Sequence, residues 1–426
     1  MIPRAGTSHP KKVLFVSTHF PYDFRKSTTG TFKRMRVFLD ALKDRVSLHL
    51  LFYYPPYLDV DAQRVSETKS ALQSEWLLDD FDMTVCRQER EPNDSKRLWA
   101  RYVSRALTIH RQLGFVCTSG PEQLRIFEEC LEDRPDFVFI HRLMCICPAL
   151  RTRRPLPPLF MDLDDVEHKA LCRDISQPPM WGAKRLYYLQ LPAMVWGERR
   201  GIKLTRKSFV CSALDEEYLT HTWKLSNVRA IPNAIHLPGD QPLSRRPVLL
   251  FLGGFRYPPN ARAAEHLILR IWPLIRNACP ESSLVIAGGD PERIACYEQA
   301  HGGVEYTGFV DDLEALYARA RVVCCPIQTG GGTRIKVIEA AAYGKPVVST
   351  PIGAEGLEFE EGREILLRDD PRDFADACIK LLRDETLCVQ IGQAASAKAA
   401  KLYDRRNVIR MIQEEIFGSL EATTPG

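Results

Sequence analysis

The chain has 426 residues, 45% of them hydrophobic and 26% charged, which is enough apolar sequence for two globular domains with a core each. The formal net charge is only +4, and no module of interleaved basic and aromatic residues typical of nucleic-acid binding is evident. These features argue against a dedicated nucleic-acid-binding protein.

Thirteen cysteines are scattered through the sequence without a CxxC pair, and several lie inside apolar runs. An odd number of dispersed cysteines is typical of reduced thiols in a cytoplasmic protein. No run of about 18 apolar residues occurs, and no long apolar stretch follows the basic residues at the N-terminus. We therefore expect a cytoplasmic location, without a secretion signal or a transmembrane helix.

The first predicted elements form a strand, a loop, a helix and a second strand. Residues 12–18, KVLFVST, have the continuous apolar core of a buried parallel strand. A loop that contains Gly30 follows, then a helical pattern at about residues 32–43 and the apolar run VSLHLLFY. This βαβ unit predicts the start of a Rossmann-like domain.

The region from Asp59 to Glu132 is polar and helical in composition, and one part of it is basic and amphipathic. That part, SKRLWARYVSRALTIHRQLG, can lie on an anionic lipid surface, or it can be a domain surface whose arginine stems cover the core. Both interpretations stay open. Its basic residues are Lys96, Arg97, Arg101, Arg105 and Arg111.

Residues 136–147, DFVFIHRLMCIC, contain the next predicted buried strand, which ends in His141-Arg142. In open α/β sheets this end lines the crevice where ligands bind, so a site role for His141 is one interpretation and a hydrogen-bonded structural role is the other. A further strand, within residues 158–168, runs into a loop with Asp162, Asp164 and Asp165. Clustered carboxylates can bind a hard cation. No other ligands accompany them, so we expect hydroxyl recognition or helix capping.

The first domain is predicted to end with a strand, a helix and a linker. Ser212 and Asp215 lie where a helix begins and are predicted to cap it. Residues 239–247, GDQPLSRRP, are polar and contain proline, so they predict the linker.

The second domain opens with VLLFLGG, an apolar strand that ends in two glycines, and LVIAGGD repeats that pattern. Strands alternate with helices from there on, which predicts a second parallel sheet covered on both faces. Arg256 and Asn260 follow the first of these strands, where a bound diphosphate could lie. Beyond Gly356 the sequence is mostly helical.

The most informative stretch is PIQTGGGTRIKVIEAAAYGKPVVSTP. Its glycines lie between an apolar strand and a helix, so backbone N–H groups of the loop and of the helix N-terminus can approach a phosphate. Thr333 is predicted to cap the helix, and Arg334 and Lys336 place two cations in the first turn, where acidic residues would be usual. Glu339 follows on nearly the same helix face, and Gly344 is predicted to end the helix.

The stretch GGGTRIKVIEAAAYGKPVVSTPIGAEGL resembles the donor-site signature of GT-B glycosyltransferases, in particular retaining glycosyltransferase family 4 and its bacterial polysaccharide branch. The resemblance implies an α/β fold of two Rossmann-like domains with parallel sheets facing a central cleft. It implies that Glu339 binds the nucleotide ribose and that basic residues hold the diphosphate. Many members carry a second glutamate eight positions earlier, where this chain has Gly331, so backbone N–H groups are the expected contacts there.

On this resemblance we expect residues 1–240 to form an acceptor-side domain and residues 241–400 a donor domain, with residues 401–426 as a helix that crosses back to the first domain. The expected activity is metal-independent transfer of a sugar, with retention, from a nucleotide sugar to a hydroxyl of a saccharide or lipid-linked saccharide. No cofactor is expected, and an anionic membrane surface is a possible partner.

The residues implied for this site divide into three sets. The catalytic set is Arg334, Lys336 and His141. The donor-binding set is Gly331, Gly332, Thr333, Arg334, Lys336, Glu339, Arg256 and Asn260. The acceptor-side set is Gly30, His141 and Asp164. Two other functions stay open, namely a nucleotide-sugar epimerase of the same fold and a non-catalytic nucleotide-binding module of a biosynthesis complex.

Overall fold

A computed structural model describes residues 10–24, 29–90, 103, 105–112, 114–176, 184–239 and 244–421. The chain forms two compact units. The first comprises Met1–Ile231 and Ile409–Gly426, and the second comprises Pro232–Val408. The predicted linker at residues 239–247 falls within the second unit, where Ile235 pairs with Asp404 as an isolated bridge.

The first unit contains a sheet of seven parallel strands in the order β3-β2-β1-β4-β5-β6-β7. The interior strands are almost completely buried, because a parallel sheet is covered by helices on both faces. The strands are β1 Lys11–Ser17, β2 Val46–Tyr54, β3 Phe81–Arg87, β4 Phe137–His141, β5 Leu159–Asp164, β6 Lys207–Val210 and β7 Val228–Ala230.

The α-helices described in the first unit connect these strands. They are α1 Gly30–Leu42, α2 Ala62–Trp76, α3 Pro121–Glu132, α4 Cys147–Arg151, α5 Glu167–Ser176, α6 Leu191–Leu204 and α7 Ala213–Glu217. Ser212 caps α7 as predicted, since its side chain accepts a hydrogen bond from the Asp215 amide.

One expectation for this unit was wrong in detail. The region predicted as helical includes β3, an edge strand that buries only its Phe81 and Cys86, so it lacks the apolar run of an interior strand. The strand that was predicted to end in His141-Arg142 does end at His141, because Arg142 has a φ of 69° and the chain turns there into helical residues.

The second unit contains a sheet of six parallel strands in the order β10-β9-β8-β11-β12-β13. Its core is continuous from this sheet to the surrounding helices. The strands are β8 Val248–Leu252, β9 Ser283–Ala287, β10 Val304–Gly308, β11 Val322–Cys325, β12 Val347–Ser349 and β13 Leu366–Leu367.

Helices alternate with these strands as predicted. They are α8 Pro258–His266, which continues through a π-helical turn into α9 Trp272–Ala278, then α10 Leu313–Arg319, α11 Ile335–Ala342, α12 Pro371–Arg383, α13 Glu385–Tyr403 and α14 Arg405–Glu421. Helix α14 begins in the second unit and ends in the first, where Gln413 donates a hydrogen bond to the carbonyl of Ala41. Among the described residues, no helix combines the length and the apolar character needed to cross a bilayer.

Both sheets reverse their strand order at one point. In the first unit this point lies between β1 and β4, and in the second between β8 and β11. Open α/β sheets bind ligands at the carboxyl ends of the strands on either side of such a reversal. We call the carboxyl ends of β1 and β4 the first switch edge, and those of β8 and β11 the second switch edge.

Candidate functional site

The glycine loop, residues 330–332, lies in the connection from β11 to α11, at the second switch edge. Gly330 has a φ of 106° and Gly332 a φ of 65°, conformations that other residues rarely adopt. A Cβ atom at Gly330 would lie 2.6 Å from the hydroxyl oxygen of Tyr257 and 3.3 Å from Nη2 of Arg334. The backbone conformation therefore favours glycine at position 330, and a larger side chain would also have to displace the ends of the Tyr257 and Arg334 side chains.

The N-terminus of α11 has no side-chain cap. The helix begins at Ile335, and Arg334 occupies the capping position without a capping hydrogen bond. Thr333 was predicted to cap this helix, and that prediction was wrong: its hydroxyl oxygen instead accepts a hydrogen bond of 2.7 Å from Nδ2 of Asn233. The N–H groups of the first turn are thus left without a side-chain acceptor, and such groups attract an anion.

Arg334 is buried and bonds to the loop that precedes it. Its Nη1 donates to the carbonyl oxygens of Gly331 and, at 2.5 Å, Gly332, and its Nη2 lies 3.4 Å from the carbonyl of Thr329. These contacts hold the loop carbonyls toward the guanidinium. Arg334 therefore fixes the shape of the loop in this structure.

Lys336, in the first turn of α11, reaches across to the segment that follows β8. Its Nζ donates a 2.8 Å hydrogen bond to Oδ1 of Asn260 and lies 4.6 Å from the ring centroid of Phe251. Burial lowers the pKa of Lys336 to about 8, and the positive charge of Arg334 acts in the same direction. A Lys ammonium held by one neutral amide retains donor capacity for an anionic ligand.

The segment after β8 is shaped to receive Lys336. A Cβ atom at Gly253 would lie 2.9 Å from Nζ of Lys336 and from the amide of Asn260, so glycine leaves the room for both. Asn260 is itself fixed, because its Nδ2 donates to the carbonyl of Gly254 at 2.9 Å. The roles of Gly253 and Tyr257 were missed by the sequence analysis. The paired glycines at the end of β8 were the signal that could have pointed to Gly253.

The structure brings most of the predicted donor-binding residues to the second switch edge. The exception is Arg256, whose side chain forms an ion pair with Asp290. Lys336 and Asn260 meet directly, and the half-buried Glu339 follows one helical turn after Lys336. Arg256 is 69% exposed in its side chain and forms an ion pair with Asp290, with 2.9 Å between Nε and Oδ1. Its guanidinium is thus engaged on the β9 side of the sheet.

At the first switch edge, His141 ends β4 and is completely buried. Its Nδ1 lies 2.9 Å from the hydroxyl oxygen of Ser17 on β1, and its Nε2 has no hydrogen-bond partner among the described residues. Burial holds the pKa of His141 well below its usual range, and the neighbouring His19 and Arg142 lower it further. The imidazole is therefore neutral at physiological pH.

The acidic loop after β5 is joined to α1 by a buried ion pair. Arg34 donates to both carboxylate oxygens of Asp162, with 2.8 Å from Nε to Oδ2 and 2.7 Å from Nη2 to Oδ1. Asp164 lies 3.6 Å from the same guanidinium and has a φ of 62°. Because Arg34 occupies Asp162, this carboxylate is not available to a cation shared by all three aspartates, whereas ligand atoms of Asp164, Asp165 and Cys211 lie within 4.8 Å of one another. Gly30 is the exposed first residue of α1.

Half of the basic amphipathic segment, including Lys96, Arg97 and Arg101, lies outside the described residues. In the described part of the segment, one basic residue is buried. Arg105 is only 6% exposed, so it cannot present its charge to a lipid surface, whereas Arg111 is exposed. The side chains of Ile109 and Gln112 are also buried, and this part of the segment packs into the first unit.

Comparison with protein families finds a match within the second unit. Residues 246–384 match the family described as "Glycosyl transferases group 1". This match includes both strands of the second switch edge, the glycine loop and α11. This part of the second unit is therefore similar to group 1 glycosyltransferases.

Two curated relatives share part of the sequence. A phosphatidyl-myo-inositol mannosyltransferase of Mycobacterium leprae is 30% identical over 186 residues, 42% of this chain and 48% of the relative. A D-inositol 3-phosphate glycosyltransferase of Corynebacterium jeikeium is 36% identical over 93 residues, 21% of this chain and 22% of the relative. The chain thus matches less than half the length of these relatives.

Solved structures resemble the whole chain. HepE of Anabaena, in complex with UDP and glucose, has a TM-score of 0.62 at 13% identity and covers 97% of this chain and 100% of its own. Sucrose-phosphate synthase of Thermosynechococcus elongatus has a TM-score of 0.68 at 16% identity, with the same coverage. At these identities the likeness establishes the fold, which is the predicted GT-B fold with two Rossmann-like, parallel sheets.

Proposed function

From the similarity to group 1 glycosyltransferases and the GT-B fold, we propose that this protein is a retaining glycosyltransferase. It would transfer a sugar from a nucleotide sugar to a hydroxyl group of an acceptor. The observation that carries the proposal is the second switch edge, where the uncapped N-terminus of α11, the glycine loop and Lys336 converge. All three present hydrogen-bond donors suited to a diphosphate.

The proposed chemistry follows from how charge moves in the reaction. As the bond between the anomeric carbon and the phosphate oxygen breaks, negative charge grows on the leaving nucleoside diphosphate. Lys336 and the amides of the glycine loop would stabilise this charge more in the transition state than in the ground state, which lowers the barrier. Arg334 would support the step by holding the loop carbonyls, as its contacts with Gly331 and Gly332 suggest.

The donor and acceptor follow from the same arrangement. We propose a uridine nucleotide sugar as the first donor to test, since HepE, which shares the fold, was solved with UDP and glucose. Glu339 would accept hydrogen bonds from the ribose. On the acceptor side, His141 would contribute its Nε2, which is buried and without a partner among the described residues. The positive charge at the second switch edge can balance the negative charge of the leaving diphosphate, so we propose transfer without a metal or other cofactor.

The biological setting in the proposal is polysaccharide or glycoconjugate synthesis. The acceptor would be a saccharide, free or linked to lipid at the cytoplasmic face of a membrane. The M. leprae relative, a phosphatidyl-myo-inositol mannosyltransferase by name, fits an acceptor of the lipid-linked kind.

A panel of nucleotide sugars, each incubated with simple saccharide acceptors, tests the proposal. Mass spectrometry would detect the glycosylated product, and NMR of its anomeric proton would report retention or inversion. Activity in excess chelator would test the independence from metal. An inverted product, or loss of activity in chelator, would overturn the corresponding part of the proposal.

The residue at position 331 favours a second candidate function. Gly331 stands where the family resemblance leads us to expect a glutamate beside the transferred sugar. A chain that lacks that carboxylate could bind the nucleotide without turnover, as a module of a synthesis complex. Binding of UDP without product from any donor would support this alternative, and an epimerised donor without transfer would identify an epimerase of the same fold.

A further inference from the structure

Helix α6 presents an exposed face of unusual composition. The side chain of Trp196 is 77% exposed, and Arg199, Arg200 and Lys203 are exposed on the same side, three, four and seven residues further on. We call these four residues the α6 face. A large exposed tryptophan beside three cations is not explained by the packing of the first unit.

The opposite side of α6 is fixed in the fold. Oε2 of its only carboxylate, Glu198, lies 2.5 Å from Nδ1 of His168, so this negative charge is buried and does not offset the outer cations. A Cβ atom at Gly197 would lie 2.4 Å from Ile109, and one at Gly201 would lie 3.3 Å from Leu143. The helix is thus anchored from several sides, and the α6 face needs no rearrangement to meet a partner.

The residues around the α6 face are also exposed apolar side chains and cations. Leu189 and Tyr188 precede the helix and are 46% and 42% exposed, and Leu107, close in sequence to the Ile109 that packs on Gly197, is 73% exposed. Burial lowers the pKa of His110, and the positive charges of Arg151 and Arg200 lower it further, so both charges act on this imidazole. Among the described residues, no ion pair neutralises Arg199, Arg200 or Lys203.

We propose that the α6 face is a docking surface for an anionic lipid bilayer. An interfacial helix inserts aromatic and apolar side chains at the level of the headgroups, while Lys and Arg contact the anionic phosphates. Trp196 and Leu189 supply the first kind of contact, and the three cations supply the second. The net charge of the whole chain is only +4, so the attraction is local to this face.

The α6 face is a different candidate from the one found in the sequence. The sequence left a membrane contact open for the basic segment around residues 96–111, whose Lys96, Arg97 and Arg101 lie outside the described residues. In the described part, Arg105 and Ile109 are buried, and Ile109 packs against Gly197 of α6. The docking surface does not depend on the catalytic proposal, and it would place the enzyme beside a lipid-linked acceptor if both hold.

Vesicle co-sedimentation tests the docking. Wild-type protein should bind vesicles of phosphatidylcholine with phosphatidylglycerol at low salt, be largely released from them by high salt, and bind vesicles of phosphatidylcholine alone only weakly at either salt concentration. Each surface cation contributes about a fivefold factor to partitioning, so Arg199→Gln/Arg200→Gln/Lys203→Gln should weaken it roughly a hundredfold. The matched control, Arg372→Gln/Lys380→Gln/Lys401→Gln, removes the same charge from exposed positions of the second unit and should bind nearly as the wild type does.

A second variant tests the apolar contact. Brominated lipids should quench the fluorescence of the wild type on anionic vesicles, and Trp196→Phe should remove most of this quenching while the fold is retained. The proposal is overturned if the wild type ignores anionic vesicles, or if the α6 and control variants bind equally. It is also overturned if the α6 face proves to capture a polyanion such as heparin but no vesicle, because the partner would then be an acidic macromolecule.

The same variants separate the two proposals. Transfer to a short water-soluble acceptor should be unchanged in the α6 variant, because none of its residues belongs to either switch edge. If vesicle binding follows the prediction but no donor is ever turned over, the docking surface stands and the proposed enzymatic function fails.

Discussion

The two switch edges share a strand order but differ in chemistry. At the first edge, His141 is bonded through Nδ1 to Ser17, and beside it Arg34 of α1 is bonded to Asp162 of β5, while Nε2 of His141 has no partner among the described residues. At the second edge, the loop and the start of α11 are backbone without a side-chain cap, and Lys336 is held by one neutral amide. The same topology can therefore build an edge of mostly paired side chains and one that keeps donors for an anion.

The two switch edges differ because different residues follow their strands. Bulky and ionisable side chains follow β1 and β4, where they fill the space and find partners within the unit. Glycines follow β8 and β11, where they let the backbone and one long lysine side chain approach each other. Substitutions at and beside the two switch edges test this contrast.

The largest effect is expected from Arg34→Ala, in α1 beside the first switch edge. It would leave the buried carboxylate of Asp162 without its partner, and the loss of one member of a buried ion pair destabilises a protein by about 3–5 kcal/mol. Urea denaturation, followed by a signal from the first unit, would measure the change in the free energy of unfolding. The double variant Arg34→Met/Asp162→Leu removes both charges and should regain most of the loss. A wild-type midpoint for Arg34→Ala would show that the ion pair does not hold this edge together.

Lys336→Met should have the largest effect at the second switch edge, on binding and not on stability. A charge-assisted hydrogen bond to phosphate contributes about 1.5–3 kcal/mol, so the affinity for UDP should fall by roughly 10- to 150-fold in calorimetric titration. The control is Arg256→Met, which removes an exposed cation that is already paired with Asp290 and should change the affinity much less. Equal affinities for both variants and the wild type would refute the diphosphate site.

The affinity for UDP should also depend on pH through Lys336. Because its pKa is about 8 in the free protein and a bound diphosphate favours the charged amine, binding should be constant below pH 8 and weaken above it. Once Lys336 is deprotonated in the free protein, the fall should approach tenfold per pH unit. Lys336→Arg, whose guanidinium stays charged, should bind UDP with little change over the same range. A fall of the same size in Lys336→Arg would assign it to another group.

His141→Ala should affect transfer without affecting donor binding. His141 belongs to the first unit, and the loss of one hydrogen bond from the acceptor side corresponds to about a five- to tenfold lower rate. Parallel measurements of UDP affinity and of product formation would separate an effect on donor binding from an effect on transfer. The wild-type rate should show no dependence on His141 ionisation around neutral pH, because burial holds the pKa of His141 well below its usual value. Unaltered transfer would leave His141 with a structural role only.

The smallest effect is expected from the glycines at the two ends of α11. Gly332 and Gly344 both have a φ of 65°, and an alanine in this conformation costs about 1 kcal/mol of stability. Gly344→Ala should lower the thermal midpoint and leave UDP affinity unchanged. Gly332→Ala should also weaken UDP binding, since its backbone belongs to the glycine loop. Equal UDP affinities for the two variants would remove the loop from the site.

Sequence analysis predicted the fold well because its signals are local. Buried parallel strands appear as short apolar runs, as in Val248–Leu252, and helix ends have their own markers. Gly344 ends α11 as predicted, and the amides of Gly344 and Lys345 bond back to the carbonyls of Ala341 and Ala340. The edge strand Phe81–Arg87 was missed because it carries little of this signal.

The sequence by itself thus determined the two-domain α/β fold, the position of the glycine loop and the identity of the candidate cations. Only the tertiary structure decided which partner each charge takes. Arg34 bonds Asp162 across 128 residues of sequence, and Lys336 bonds Asn260 across 76. Thr333 was predicted as a helix cap but is bonded to Asn233, and Arg334 is turned back onto its own loop. The reason is that apolar periodicity and glycine conformations are local properties of the chain, whereas the pairing of polar groups depends on which distant segments folding brings within hydrogen-bonding distance.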